Sequence, residues 1–392
     1  MNSSLMIDTR TTRKSSRPPE PFGSGQPVPA VLVAHAPIGS TTVDRCSFIE
    51  SLVVGRSSDC DFQIGDDAVS RHHFRITRGA DCWWIEDPGS SNGTFVDGVR
   101  IKSKQLLTDG SVIRVAEVVL VFHASAAAFL QVSSQERFGI EGRFHVAALL
   151  RALGEAAISS RHLVLCGPSG TGKELAARAL TAMMAEGDQP LPMVAYNAAR
   201  FASEDEATTT LFGVGAGVFS SVKPRPGLIE RARGGVLFLD EVHNLPERVQ
   251  RSLLRVIEDG QAERIGESRT RPAQLRFVLA TNASGSHSYG LAEDLFARLR
   301  VVHVPPLAER AADIPAIFKS TLRQALARFD LDDFGVFSAL GADHYEALCL
   351  DGFTADNVRG LIDLADRIAT RLKTGSNPEQ AVTAVFSQRF AD

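Results

Sequence analysis

The feature that most constrains this chain is a glycine-rich loop set between a strand and a helix. The apolar run Leu163-Val164-Leu165-Cys166 opens directly into Gly167-Pro168-Ser169-Gly170-Thr171-Gly172-Lys173-Glu174, and a helix-forming run follows from Leu175 to Ala182. This order is the context in which such a loop cradles phosphate. Glycines let backbone N–H groups close around phosphate oxygens. The helix behind the loop turns the positive end of its dipole toward the anion. Lys173 is placed to reach the β- and γ-phosphates as a point charge. A chance Gly-rich turn containing lysine has no reason to lie between an apolar strand and a helix. The expectation is a bound nucleoside triphosphate, with residues 167–174 as its cradle.

A second element follows downstream. Gly234-Gly235-Val236-Leu237-Phe238-Leu239 is an apolar strand that ends in Asp240-Glu241. Two acids at a strand tip, downstream of a P-loop, form a Walker B pair. Asp240 is expected to help hold Mg²⁺, and Glu241 to orient or deprotonate the attacking water. A third apolar strand ends at Ala280-Thr281-Asn282, where the Asn282 carboxamide can meet the γ-phosphate or the water.

The 392 residues allow two or three domains, each with its own core. Residues 1–29, rich in Ser, Thr, Pro and Arg, read as a disordered tail. Residues 30–123 read as short strands separated by Gly, Asp, Asn and Ser turns, the pattern of an all-β sandwich. Residues 124–140 read as a linker. From 141 to 306 helices alternate with apolar strands, as in an α/β domain with a parallel sheet. Residues 307–392 read as a helical lid, with helices over Ile314–Arg328, Tyr345–Leu350 and Ala355–Lys373 and a last one opening at Pro378.

A net charge of −4 gives no electrostatic footprint for nonspecific nucleic-acid binding. Five cysteines, in no metal-ligand spacing, argue against a disulfide framework and for a reducing cytoplasm. No apolar stretch is long enough to span a bilayer, and no apolar segment follows the basic N-terminus as a signal peptide requires.

The β region carries four ordered elements: Gly55-Arg56, Ser70-Arg71-His72-His73, Ser90-Ser91-Asn92-Gly93-Thr94 and Asp97-Gly98. Together they resemble a forkhead-associated (FHA) domain, which binds phosphothreonine on loops at one end of a sandwich. A phosphate dianion on a loop needs charge-assisted donors, and Arg56 and Ser70 supply a guanidinium and a hydroxyl. The resemblance implies that Arg71 and Ser91 border the phosphate, that Asn92 holds the peptide backbone and that His73 braces the loops. The implied partner is a phosphothreonine-containing protein. Thr9, Thr11 and Thr12, beside basic residues of the tail, are a candidate ligand within the chain.

Residues 138–372 resemble the AAA+ ATPase domain of sigma-54-dependent transcriptional activators. The resemblance rests on Gly227-Leu228-Ile229-Glu230 through Asp240-Glu241, Leu253-Leu254-Arg255-Val256-Ile257, Arg264-Ile265-Gly266, Ala280-Thr281-Asn282 and Asp294-Leu295-Phe296-Ala297-Arg298-Leu299. It implies ring-shaped hexamers that hydrolyse ATP between subunits to remodel sigma-54 RNA polymerase. It further implies Asn197 as the switch that restrains Glu241, Arg298 as an arginine finger acting in the neighbouring site, and Arg359 as the lid arginine that senses nucleotide.

The chain departs from that pattern in places. The sigma-contact loop, usually GAFTGA, reads Gly217-Val218-Phe219-Ser220-Ser221-Val222. It keeps the aromatic at Phe219, replaces threonine by Ser220, and loses at Ser221 the conformational freedom of glycine. Ala292 stands where a first finger arginine is usual, and Thr354-Ala355-Asp356 where Trp-Pro-Gly is usual. No second helix with a basic recognition face follows Arg359, so direct DNA binding is not expected. Two readings stay open: a phosphothreonine-controlled ATPase acting on sigma-54 transcription, and a phosphorylation-dependent scaffold that binds ATP, turns it over poorly and leaves sigma-54 alone. An ATPase with another protein target is a third.

Overall fold

The computed structural model describes residues 28–126, 138–185, 191–216, 224–283 and 287–390. Thr9, Thr11, Thr12 and the whole 217–222 loop, with Gly217, Phe219 and Ser220, lie outside the described residues.

Strands come first. They are β1 (Ala30–His35), β2 (Arg45–Ser47), β3 (Ser51–Gly55), β4 (Phe62–Gln63), β5 (Phe74–Arg78), β6 (Trp83–Glu86), β7 (Phe95–Val96), β8 (Val99–Arg100), β9 (Gln105–Leu107), β10 (Val112–Val115) and β11 (Val118–His123). They form two facing sheets, β2-β1-β11-β10-β7-β8 and β4-β3-β5-β6-β9. On β3 the side chains alternate, as a half-buried strand requires. Leu52 and Val54 point inward, opposite Ile76 and Phe74 of β5. The sandwich core adds Val31, Val33, Ile85, Leu120 and Phe122.

β1 and β11 read differently, as unbroken apolar runs, and the reason is burial on both faces. Val31, Val33, Leu120 and Phe122 face the sandwich. Ala30, Leu32, Ala34, Val119 and Val121 face outward into a second core made with the C-terminal helices.

The middle of the chain comprises α1 (His145–Ile158), β12 (Leu163–Cys166), α2 (Lys173–Met183), β13 (Met193–Asn197), α3 (Glu204–Phe212), the short pair β14 (Gly213–Val214) and β15 (Arg225–Pro226), and α4 (Leu228–Arg231). It continues with β16 (Val236–Asp240), α5 (Glu247–Asp259), the hairpin β17 (Gln261–Glu263) and β18 (Thr270–Pro272), β19 (Arg276–Thr281), α6 (Glu293–Ala297) and β20 (Arg300–His303). Five strands pair in parallel in the order β13-β16-β19-β12-β20. In such sheets ligands bind outside the carboxyl ends of the strands, where the strand order reverses.

A 3-10 segment, Leu307–Asp313, leads into α7 (Ile314–Ala327), α8 (Phe334–Ser338), α9 (Ala342–Asp351), α10 (Val358–Lys373) and α11 (Pro378–Arg389). α10 buries Leu361, Leu364, Ala365 and Ile368, one stripe at helical spacing. α11 starts with Pro378 and an Asn377–Gln380 capping box. The sequence pattern places the start of α10 at Ala355. The helix starts at Val358 instead, because Asn357 has φ 50° and ψ −134°, which no helix tolerates. Among the described residues no helix is long and apolar enough to cross a membrane.

The stretch read as a linker is anchored at both ends. Ala126 is fully buried and its N–H donates to Val28 O at 2.7 Å. At the start of α1, buried Asp313 accepts from the N–H groups of Arg143, Phe144 and His145 at 2.6, 2.8 and 3.0 Å.

The sandwich therefore docks on the lid. Arg114 of β10 pairs with buried Glu346 of α9 at 2.6 Å and lies over the Phe95 ring at 3.9 Å. Glu117 accepts from the Ala342 N–H at 3.0 Å. His35 stacks on Tyr345, with centroids 3.8 Å apart, and its Nδ1 accepts from Lys319 Nζ at 3.0 Å. Burial holds His35 down to about 3, helped by the charges of Lys319 and Arg143. A histidine depressed on folding stabilises fully above its ordinary pKa of 6.5, and that stability is lost as pH falls toward about 3. Urea unfolding between pH 7 and 5 should show this as an added loss of roughly 2 kcal/mol in total, with a slope that approaches about 1.4 kcal/mol per pH unit only at the acid end, absent in His35→Leu. Equal pH slopes for the two proteins would rule it out.

Candidate nucleotide and phosphopeptide sites

The P-loop leaves the buried strand β12 and enters α2 at Lys173. Gly170 has φ 77°, and a Cβ there would stand 2.5 Å from Asp356 O. Glycine is thus required twice, for the backbone angle and for the approach of the lid. Lys173 is 8% exposed, and its Nζ donates to Gly167 O at 2.8 Å and Pro168 O at 2.9 Å. Burial lowers its pKa, against the pull of the Asp240 charge. Thr171 Oγ1 donates to Pro168 O at 3.0 Å and closes the loop on itself.

A cleft of about 300 Å³ lies on the carboxyl side of the sheet, lined by Lys173, Glu174, Asp240, Glu241, Asn282 and Arg359, with Ser169, Gly170 and Gly172. These residues come from the P-loop, the tips of β16 and β19, and the start of α10. Burial pushes the Asp240 carboxyl up, opposed by the Glu241 N–H and the Lys173 charge. Glu241 has φ 52° and ψ 40°, and its N–H donates to Asp240 Oδ1 at 2.9 Å. A left-handed backbone at a non-glycine residue costs of order 1 kcal/mol and persists where the surroundings enforce it. Glu174 pairs with Arg178 at 2.7 Å. Arg359 donates to Ser169 Oγ at 2.8 Å.

Two expected participants stand apart. Asn197 is the β-sheet neighbour of Asp240, but its Oδ1 accepts from Ala199 N–H at 2.8 Å, and among the described residues no hydrogen bond joins it to Glu241. Arg298 does not line the cleft; it pairs with Glu258 at 2.8 Å on the surface. A finger that serves a neighbouring subunit is not required to touch its own site. Ala292 precedes α6, and its N–H donates to Gln250 Oε1 at 2.8 Å.

The sequence does not disclose the apolar side of this site. A second cavity of about 190 Å³ adjoins the cleft through Leu175, Val358 and Ile362, and is walled by Ile140, Leu149 and Ile317. Its walls come from four separated stretches, and no single motif spans them.

The second site lies on the sandwich loops. A cleft of about 440 Å³ is lined by Arg56, Ser70, Arg71, His72, Ser91 and Asn92, with Asp67 at its edge. Ser70 Oγ accepts from Ser91 N–H at 3.1 Å, and Asn92 Nδ2 donates to Ala68 O at 2.7 Å. Arg56 Nε donates to Val69 O at 3.3 Å, leaving a half-exposed guanidinium at the mouth beside Asp67. A Cβ on Gly55 would stand 2.2 Å from Arg71 O, so glycine permits the two loops to touch. His73 is fully buried: Nδ1 accepts from Ser70 N–H at 3.0 Å and Nε2 donates to Gly93 O at 3.2 Å. Burial lowers its pKa, which keeps the ring neutral and able to accept. It joins two of the binding loops from below.

The family comparisons agree with these two sites. The model of the FHA domain matches residues 52–116, and that of the sigma-54 interaction domain matches residues 140–305. The chain therefore carries an FHA domain followed by an AAA+ sigma-54 interaction domain. Among curated relatives it is 34% identical over 244 residues to the transcriptional regulatory protein XylR of Pseudomonas putida, covering 61% of this chain and 41% of that one. It is 40% identical over 184 residues to the phenol regulator MopR of Acinetobacter guillouiae, covering 45% of this chain and 32% of that one. The matches thus span less than half the length of either relative. The structure of NtrX from Brucella abortus in complex with ADP superposes with a TM-score of 0.54 at 30% identity, over 64% of this chain and 55% of that one.

Proposed function

We propose that the protein is a cytoplasmic, phosphothreonine-controlled ATPase that regulates sigma-54-dependent transcription. The observation that carries the reading is the cleft in which Lys173, Asp240, Glu241, Asn282 and Arg359 converge from separate elements at the carboxyl ends of a parallel sheet. Lys173 exchanges its loop carbonyls for β- and γ-phosphate oxygens. The adenine lies in the apolar cavity beside Leu175 and Val358. Glu241 orients the attacking water, with Asn282 opposite. The half-buried Asp240 carboxylate, with Glu241 beside it, fits Mg²⁺, which when bound would neutralise charge on the phosphates. Arg298 completes the site of the next subunit in a hexameric ring, after leaving Glu258. The 217–222 loop, with Gly217, Phe219 and Ser220, is the contact to sigma-54 polymerase.

One observation favours the scaffold reading. Only Arg298 of the usual two finger arginines is present, and it is held by Glu258 within its own chain. Slow turnover with intact ATP binding would follow.

The phosphopeptide half is tested by titrating a phosphothreonine peptide and its unphosphorylated twin into the full chain. The phosphorylated form should bind, and Arg56→Ala should weaken it about tenfold or more, as loss of a charge-assisted hydrogen bond implies. Equal binding of the two peptides, or no effect of the substitution at unchanged thermal stability, would remove this half.

A further inference from the structure

Three consecutive P-loop carbonyls are tied to the lid. Asn357 Nδ2 donates to Ser169 O at 3.0 Å, the Val358 N–H to Gly170 O at 3.1 Å, and buried Arg310 to Thr171 O at 3.3 Å. A trans peptide plane holds its carbonyl and the following N–H in opposite directions. Tying these carbonyls to one side therefore turns the N–H groups of Gly170, Thr171 and Gly172 to the other. Successive N–H groups turned the same way make an anion nest.

Asn357 is an unusual residue for this post. It is 1% exposed and adopts φ 50° and ψ −134°, a region comfortable only for glycine. A side chain kept there in spite of the strain does something that glycine cannot. Its Oδ1 accepts from Leu307 N–H at 3.0 Å while its Nδ2 reaches the P-loop. A carboxamide offers both a donor and an acceptor, and so bridges the two. The bridge joins the P-loop to the 3-10 segment Leu307–Asp313, which also carries Arg310. That segment shares the core with Ala30, Leu32 and Val119 of the FHA domain.

We infer that Asn357 and Arg310 are positioning residues that set the phosphate cradle from the lid side, by orienting the amides of residues 170–172 toward the nucleotide. Neither touches a reacting atom, and the inference rests on the nucleotide-binding reading above. It has a consequence for control. A lid displaced together with its FHA domain would release these carbonyls and disorder the amide array.

The test is equilibrium titration of a fluorescent ADP analogue into the full chain, with thermal unfolding alongside. Asn357→Gly relieves the strained backbone and removes both side-chain bonds, so the fold should persist. Its Kd should rise about tenfold, the scale of one or two lost hydrogen bonds. Arg310→Met keeps the apolar stem, removes the donor and should act in the same direction. Where turnover is measured, KM should rise more than kcat falls, whereas partial unfolding would lower kcat alone. Folded Asn357→Gly protein that binds the analogue as tightly as wild type would overturn the inference. If Asn357→Gly does not fold, the affinity of folded Arg310→Met decides in the same way. Failure of the wild type to bind the analogue would instead bring down the nucleotide reading, and this inference with it.

Discussion

Glu241→Gln should lower steady-state ATP turnover by about 10²–10⁴-fold, the usual contribution of a positioned general base, while nucleotide still binds. The residue lies in the cleft but is not among the groups that hold the P-loop. The strained backbone at φ 52° and the bond from its N–H to Asp240 Oδ1 fix where its side chain starts. Glutamine keeps the shape and loses the basicity, so binding and turnover separate. On the proposed shared site, specific activity of the wild type should also rise with protein concentration, since Arg298 lies outside its own cleft. Turnover by Glu241→Gln at the wild-type rate would refute the assignment. Activity per chain that stays flat with concentration would refute the shared site.

Arg114→Ala should cost about 3–5 kcal/mol, the range for stranding one member of a buried ion pair. The partner, Glu346, is 5% exposed, and Arg114 is its counter-charge at 2.6 Å. The same guanidinium packs on Phe95, three residues beyond Asn92 of the sandwich-loop cleft. Its loss therefore loosens the FHA domain on the lid. Urea unfolding measures the effect. The double variant with Glu346→Ala should recover part of it, since no charge is then left unpaired. A single-variant cost below about 0.5 kcal/mol, the level of an exposed pair, would show that the docking does not depend on this contact.

Much of the site was legible because its parts are local. The P-loop, the acids after β16 and Asn282 after β19 are short stretches whose chemistry follows from residue type and from the strand that delivers them. The FHA loops are likewise short, ordered strings, down to the bracing role of His73. What escaped the reading is non-local. The apolar cavity is walled by residues near 140, 175, 317 and 358, which share no motif. The start of α10 at Val358 follows a backbone angle at Asn357 that is held by distant partners, among them residues 169 and 307. One clue to the docking was present in the unbroken apolar runs of β1 and β11. A run without alternation marks burial on both faces and does not name the partner.

The sequence by itself determined the local elements: a P-loop with two acids at a strand tip downstream, and a set of short polar loops on a β sandwich. Those depend on a few adjacent residues and the period of one strand or helix. Only the tertiary structure decided that the two domains share a core. Ala30, Leu32, Val119 and Val121 pack with Phe318, Tyr345 and Leu348, across about two hundred residues of chain or more. Contacts at such separation follow from the shape of the surfaces that meet, and an apolar residue in a sequence carries no address for the one it will touch.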